Sequence, residues 1–115
     1  MIKKESLFLK DILENIKDIE EFSEDLTQEL LDKDKLRQKA IIKSLEIIGE
    51  AVKNISEKLK KDYPNVDWKE IAGTRDRITH AYFDVDLNIV WDIIKKYLPI
   101  LKKQMKEILK DLEKN

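Results

Sequence analysis

The sequence predicts an all-α protein, built as an antiparallel, up-and-down bundle of four to five helices. Apolar residues recur at steps of three and four through nearly the whole chain, which is the period of amphipathic helices. Only two glycines and two prolines occur in 115 residues, so few positions can interrupt those helices. The sequence shows no strand-like alternation and no internal repeat. We therefore assign residues 1–115 to a single helical domain.

The first two predicted helices span residues 3–29 and 34–61. The apolar stripe of the first comprises Phe8, Ile12, Ile19, Phe22 and Leu26. The stripe of the second comprises Ile41, Leu45, Ile48, Val52, Ile55 and Leu59, and a further stripe, Ala40, Ile47 and Ala51, lies beside it. Because one neighbour cannot cover both stripes, we expect the second helix to lie centrally or at a subunit interface.

The third and fourth helices are predicted from their start signals. Pro64 ends the preceding helix, since proline disfavours helical geometry in the residue before it. Asp67 and Glu70 have the spacing of a capping box at the start of a third helix, from residue 68 to about 82. Asp84 and Asp86 mark the start of a long fourth helix. We expect Pro99 to bend that helix by removing one backbone hydrogen bond.

The composition excludes several classes of protein. The chain has no cysteine, which excludes a disulfide scaffold, a thiolate metal site and a cysteine nucleophile, and we expect a reducing, cytoplasmic location. The first residues lack the apolar run of a signal peptide, and no apolar run reaches the roughly 18 residues that span a membrane, so we expect neither a signal peptide nor membrane association. The net charge is -1, so no overall field attracts nucleic acid.

The charges are unevenly distributed along the chain. Residues 11–34 hold ten acidic residues and two lysines, whereas residues 93–115 hold seven lysines and three acidic residues. One interpretation is that two solvated helix faces attract each other across the bundle. The alternative is that Lys95, Lys102, Lys106 and Lys110, which share a helix face, contact the phosphates of a nucleic acid.

The rare residue types of this chain cluster before the fourth helix. Lysine outnumbers arginine twenty to three, yet Arg75 and Arg77 stand close to the only histidine, His80. Arginine presents a planar fork suited to phosphate, and histidine transfers protons near neutral pH. Taken alone, such a histidine is more often a capping or core residue, and such an arginine is often half of a buried ion pair.

Helical spacing adds a prediction about where these side chains point. The steps between Trp68, Ile71, Arg75, Ile78 and Tyr82 place Arg75 and Tyr82 on the buried stripe of the third helix. His80 falls about 140° around the helix from Arg75. A buried arginine needs a partner or a ligand, and the candidate partners are Asp76, Glu46 and Glu50.

The pattern Arg75-x-x-x-x-His80-x-Tyr82 resembles the signature of the HEPN superfamily in the form carried by HepT-type toxins. The likeness extends over nearly the whole chain. Residues 45–51 resemble the central helix of that family, residues 63–73 resemble its approach to the motif, and residues 83–99 resemble its last helix.

The resemblance implies a helical homodimer that acts as a metal-independent RNase without a cofactor. The catalytic pair of the family maps onto Arg75 and His80. Tyr82 matches the tyrosine to which a cognate minimal nucleotidyltransferase antitoxin, of the MntA type, adds AMP to silence the toxin. Asp76 stands where the family often has asparagine. Its carboxylate either supports catalysis or repels RNA. In this hypothesis Arg77 is a second supporting residue.

The chemistry of RNA cleavage is compatible with this resemblance. Without a metal, the reaction needs a base for the 2'-OH proton, an acid for the leaving oxygen and a cation for the phosphorane charge. One histidine cannot readily be both acid and base in a single step, so we expect two chains to share a cleft. Two alternatives remain open: a non-catalytic helical partner of a nucleotidyltransferase, and a structural bundle with a buried ion pair.

Overall fold

The computed structural model describes residues 2–78 and 84–114. The elements in this part of the chain are α1 (Ile2–Phe22), α2 (Gln28–Lys33), α3 (Lys35–Lys53), α4 (Glu57–Asp62), α5 (Trp68–Ala72), α6 (Thr74–Ile78), α7 (Leu87–Asp92) and α8 (Leu98–Lys114), with a π-helical segment, Ile93–Tyr97, between α7 and α8. All of these described elements are helical, which confirms the predicted all-α bundle. None of them is long and apolar enough to cross a membrane.

Helix α3 lies at the centre of the bundle. It packs against α1 on one side and against α2, α5 and α6 elsewhere, while α1 also packs against α8. The fully buried core side chains come mainly from these long helices: Leu9, Ile12, Ile16, Ile19, Ile41, Val52, Met105 and Ile108. Each such aliphatic side chain contributes about 1.5–3 kcal/mol by leaving water. The central position expected for the second predicted helix is therefore confirmed.

The first predicted helix, residues 3–29, is too long, because α1 ends at Phe22. The Ser23 hydroxyl donates to the carbonyl of Ile19 at 2.7 Å, and Asp25 adopts a left-handed backbone with φ of 59°. Thr27 then caps α2 by accepting from the Leu30 N–H at 3.1 Å. The side chains of Ser23 and Thr27 thus form hydrogen bonds with backbone groups that would pair with other backbone groups in a continuous helix.

The second predicted helix, residues 34–61, is divided into α3 and α4. Asp34 caps α3 by accepting from the Arg37 N–H at 3.1 Å. The helix stops at Asn54, whose side chain donates to the carbonyl of Glu50 at 2.9 Å, and Ser56 caps α4. The core is continuous across this break, since Ile55 and Leu59 are both buried.

The third predicted helix is interrupted at Gly73, which separates α5 from α6. Asp67 occupies the N-cap position of α5, but its carboxylate accepts no hydrogen bond from the described backbone. Glu70 pairs with Arg77 instead, at 3.2 Å. The predicted capping box is therefore wrong, and the predicted end of this helix, from residue 79 to about 82, lies outside the described residues.

The fourth predicted helix begins as expected and then changes its winding. The Asp86 carboxylate accepts from the N–H groups of Asn88 and Ile89, at 3.0 and 3.3 Å. In the π-helical segment the Leu98 N–H donates to the carbonyl of Ile93, five residues back. Proline has no N–H, and its ring collides with the carbonyl four residues earlier in a regular helix. One wide turn therefore precedes Pro99, and the predicted bend of the helix stays a prediction.

Candidate functional site

Arg75 lies on the exposed side of α6, not on its buried stripe. The break at Gly73 changes the phase of the helix, so that Thr74 and Ile78 take the buried positions that follow Trp68. The prediction of a buried Arg75 is therefore wrong. His80 and Tyr82 lie outside the described residues, so the predicted burial of Tyr82 and the angle between Arg75 and His80 stay predictions.

Arg75 and Asp76 line one wall of a groove between α6 and α3, with a volume of about 320 Å³. We call it the Arg75 groove, and its lining residues are Lys43, Leu45, Glu46, Ile47, Gly49, Glu50, Lys53, Ala72, Arg75 and Asp76. The central helix α3 supplies most of the opposite wall. The groove therefore combines cationic and carboxylate side chains around an open space.

Helix α3 packs against the end of α5 at Gly49. A Cβ atom at this position would lie 3.4 Å from the carbonyl oxygen of Ile71 and 3.5 Å from that of Ala72. These are ordinary van der Waals distances, so a single methyl group fits here, whereas a longer side chain would reach the backbone at the end of α5. Helix α3 therefore packs closely against the end of α5, the segment that leads into α6 and Arg75.

No ion pair or hydrogen bond joins Arg75 to another residue of the described ranges. Of the three candidate partners, Glu50 pairs with Lys53 at 3.3 Å. Glu46 and Asp76 form no pair with Arg75. Within the part of the chain that the structure describes, the guanidinium is thus open to an anionic ligand.

Arg77 faces away from the Arg75 groove. It lines a separate cavity of about 240 Å³ between α5, α6 and the start of α8. Its guanidinium contacts Glu70 at 3.2 Å and lies 5.9 Å from the centre of the Tyr97 ring. Because residues two apart on a helix point in nearly opposite directions, the structure does not bring the two arginines together.

A backbone hydrogen bond joins the described residues on either side of the segment that carries His80 and Tyr82. The Asp86 N–H donates to the carbonyl of Ile78 at 2.7 Å, across positions 79–85. Glu46, which lines the Arg75 groove, also lines an adjoining cavity together with Asp84 and Val85. One turn of α3 therefore borders both the arginine and the residues that follow the motif.

The four lysines predicted to contact phosphate differ in their surroundings. Lys102 contacts Glu20 at 2.9 Å and so links α8 to α1, and Lys95 lies 4.8 Å from the centre of the Trp91 ring. Lys106 and Lys110 are exposed. The Lys102 pair shows the attraction between the acidic and basic parts of the chain, although an exposed pair contributes only about 0–1 kcal/mol.

The described residues include no group of three or more histidine, aspartate or glutamate side chains placed to hold a metal ion. Sequence reasoning named Glu46 only as a partner for a buried arginine, and it missed the groove itself. The signal was Gly49, because an isolated glycine within a helical pattern often marks a close packing contact.

Residues 12–108 match the model of a family described as "Ribonuclease HepT-like". The chain belongs to the HepT-like ribonuclease family. The matched range includes both walls of the Arg75 groove and most of α8. The resemblance to HepT-type toxins of the HEPN superfamily is therefore confirmed, and a ribonuclease family implies RNA as the substrate class.

Relatives extend this similarity over most of the chain. A protein of Methanocaldococcus jannaschii named "Putative RNase" is 50% identical, over 92% of this chain and 88% of its own length. A "Probable ribonuclease HepT" of Thermococcus cleftensis is 43% identical, over 90% of this chain and 94% of its own. A "Putative RNase" of Caldanaerobacter subterraneus subsp. tengcongensis is 43% identical, over 89% and 91%. No solved structure matches the chain.

Proposed function

We propose that this HepT-like protein is a metal-independent, cytoplasmic endoribonuclease toxin that acts as a homodimer, with Arg75 and His80 as its catalytic pair. The observation that carries the proposal is the position of Arg75. Its side chain is exposed, lines an open groove and pairs with no other described residue, in a chain that belongs to a ribonuclease family.

Each motif residue has a role in this proposal. Arg75 binds the scissile phosphate through its planar fork and stabilises the charge of the phosphorane. His80 transfers a proton during cleavage. Asp76 supports Arg75 from the same wall of the groove, and Arg77 supports the site indirectly, since its contact with Glu70 connects α6 to α5. Lys106 and Lys110 are the exposed lysines that can contact the RNA backbone.

Regulation follows from the same arginine. In the proposal, a cognate minimal nucleotidyltransferase antitoxin adds AMP to Tyr82, seven residues after Arg75. The added phosphate occupies the place of an RNA phosphate and forms charge-assisted hydrogen bonds with the guanidinium. The modified chain therefore no longer binds its substrate.

The test is cleavage of single-stranded RNA in the presence of EDTA. We expect the wild-type protein to cleave, and Arg75→Ala and His80→Ala each to lower the rate by at least about 100-fold. Arg37→Ala is the matched control, because it removes the third arginine of the chain, which pairs with Asp34 at the start of α3. It should change the rate by less than about threefold, as surface substitutions generally have small effects.

Two results would count against the enzyme. If both motif variants cleave as fast as the wild type, the catalytic assignment is wrong. If no form cleaves RNA, the alternative gains support, namely a non-catalytic helical module that presents Tyr82 to the nucleotidyltransferase. Circular dichroism of each variant separates loss of chemistry from loss of fold.

A further inference from the structure

Glu46 is a half-buried carboxylate in a groove that also presents Arg75. A negative charge in a phosphate-binding groove opposes the ligand, so its presence needs a reason. The side chain of Glu46 forms no hydrogen bond or ion pair with any other described residue. Glu50, one turn later on α3, instead pairs with Lys53 and has a side chain that is 71% exposed.

The position of Glu46 on α3 is fixed by the packing of that helix. Its neighbour Leu45 is 3% exposed, and Gly49 lies against the carbonyl groups at the end of α5. Glu46 lines the Arg75 groove on one side and the cavity bordered by Asp84 and Val85 on the other. It therefore lies between the arginine and the chain that resumes after the His80 motif.

The carboxylate of Glu46 can accept a hydrogen bond from a ligand in the groove. It pairs with neither Arg75 nor Lys43, the other cation of this part of the groove. An acceptor-only carboxylate needs a hydrogen-bond donor. When Arg75 holds an RNA phosphodiester, the donor next to the phosphorus atom is the 2'-OH of the nucleotide whose 3'-oxygen carries that phosphate.

We propose that Glu46 is the general base that takes the 2'-OH proton during cleavage. This role rests on the proposed function and adds the group that a single histidine cannot supply. The proton passes from O2' to a carboxylate oxygen of Glu46, and O2' forms a bond to phosphorus. The bond between phosphorus and O5' breaks, and O5' leaves with a proton from His80. The products are a 2',3'-cyclic phosphate and a 5'-hydroxyl end.

The test compares three variants of Glu46 in steady-state cleavage of an RNA oligonucleotide. Glu46→Gln keeps the size but not the base, and it should lower kcat by about 100- to 10,000-fold with KM changed by less than about threefold. Glu46→Asp keeps a carboxylate and should retain more activity than Glu46→Gln. Glu46→Ala leaves space in the groove, and added formate should restore part of its activity, as an external carboxylate replaces the missing base.

Glu14→Gln is the matched control, since it makes the same chemical change on the exposed surface of α1, outside the groove. It should cleave within about threefold of the wild type. Binding of an oligonucleotide with a 2'-deoxy group at the cleaved nucleotide provides a second readout. Its affinity for Glu46→Gln should equal or exceed that for the wild type, because the substitution removes a negative charge.

Three outcomes would overturn the role of Glu46. The first is a kcat of Glu46→Gln within about threefold of the wild type. The second is a loss of activity in Glu46→Ala that formate does not restore, and the third is weaker binding of the 2'-deoxy oligonucleotide by Glu46→Gln. If the wild type cleaves and Arg75→Ala does not, the proposed function stands whatever Glu46 does. If the wild type does not cleave, both proposals fall.

Discussion

The Tyr63 hydroxyl donates a hydrogen bond to the Asp111 carboxylate at 2.8 Å, which joins the segment before α5 to the end of α8. This hydrogen bond raises the pKa of Tyr63 above its usual value of 10.0, and partial burial and the negative charges of Asp111 and Asp62 raise it further. The native state therefore holds the phenol proton more tightly than the unfolded chain does. The resulting stabilisation is complete below pH 10 and is lost as the pH rises through the folded-state pKa.

Replacing Tyr63 with phenylalanine should lower the free energy of unfolding by about 0.5–1.5 kcal/mol at pH 8. The difference between the two proteins should shrink above pH 10, since the wild type then loses the same hydrogen bond. Urea unfolding of both proteins at pH 8 and at about pH 11 measures this difference in the free energy of unfolding. Tyr97→Phe is the control, because Tyr97 is 54% exposed, and it should lower the free energy of unfolding at pH 8 by less than about 0.5 kcal/mol. A Tyr63→Phe difference that stays constant or grows with pH would contradict the assignment.

At single residues, the directions of side chains were harder to predict than the helices that carry them. The motif context singled out Arg75, whose catalytic role stays a prediction, and the structure places its side chain exposed in a groove. Its predicted burial was wrong because a spacing argument assumes one continuous helix, and Gly73 interrupts that helix. The approach of α5 to Gly49 depends on two segments distant in sequence, so periodicity alone could not reveal the wall on which Glu46 lies.

At the scale of elements, Asp67 and Asp86 both occupy N-cap positions but make different contacts. The Asp86 carboxylate accepts two backbone hydrogen bonds at the start of α7, whereas Asp67 accepts none from the described backbone of α5. We expect Asp86→Ala to lower the free energy of unfolding by at least about 1 kcal/mol. Asp67→Ala should lower it by less than about 0.5 kcal/mol. Chemical unfolding of the two variants provides the comparison, and equal losses would refute the distinction.

The helices themselves could be predicted more completely than their ends. The apolar pattern continues through the breaks after Phe22 and at Asn54. Leu26 lies after the end of α1, and Ile55 and Leu59 lie after the end of α3, yet all three side chains are buried in the core. Hydrophobic periodicity reports which residues face the core, and it does not report whether the backbone between them is continuous. The breaks depend on local side-chain bonds, such as those of Ser23 and Asn54, which compete with the helix.

At the scale of the whole molecule, the proposed homodimer requires a face that a second copy can cover. Ile47 lies on α3 in the lining of the Arg75 groove and is 37% exposed. Because interface centres are depleted in charged residues, Ile47→Glu should convert the proposed dimer to a monomer with its helical content retained. Sedimentation velocity measures the change. The control is Leu36→Glu, in the first turn of α3 and outside the lining of the Arg75 groove, which should remain dimeric.

A wild-type protein that sediments as a monomer would overturn the homodimer, and an Ile47→Glu protein that remains dimeric would exclude this face as its interface.

The fold class and the family could be predicted from sequence because periodicity and the motif context are properties of one chain. The arrangement of two copies depends on surfaces that form only after folding. It stays a prediction, as does the assignment of residues 1–115 to one domain.

The wide turn before Pro99 has a consequence for comparing this chain with its relatives. A π turn holds one more residue than an α turn of the same length, so the residues on either side are out of step by one position. Both Ile93 and Ile94 are buried there, and α7 and α8 each turn an apolar face toward the core on their own side of the wide turn. A relative one residue shorter can lose that residue here and keep both faces. An alignment gap between positions 93 and 97 is therefore expected to mark a straight helix, with an unchanged core on each side.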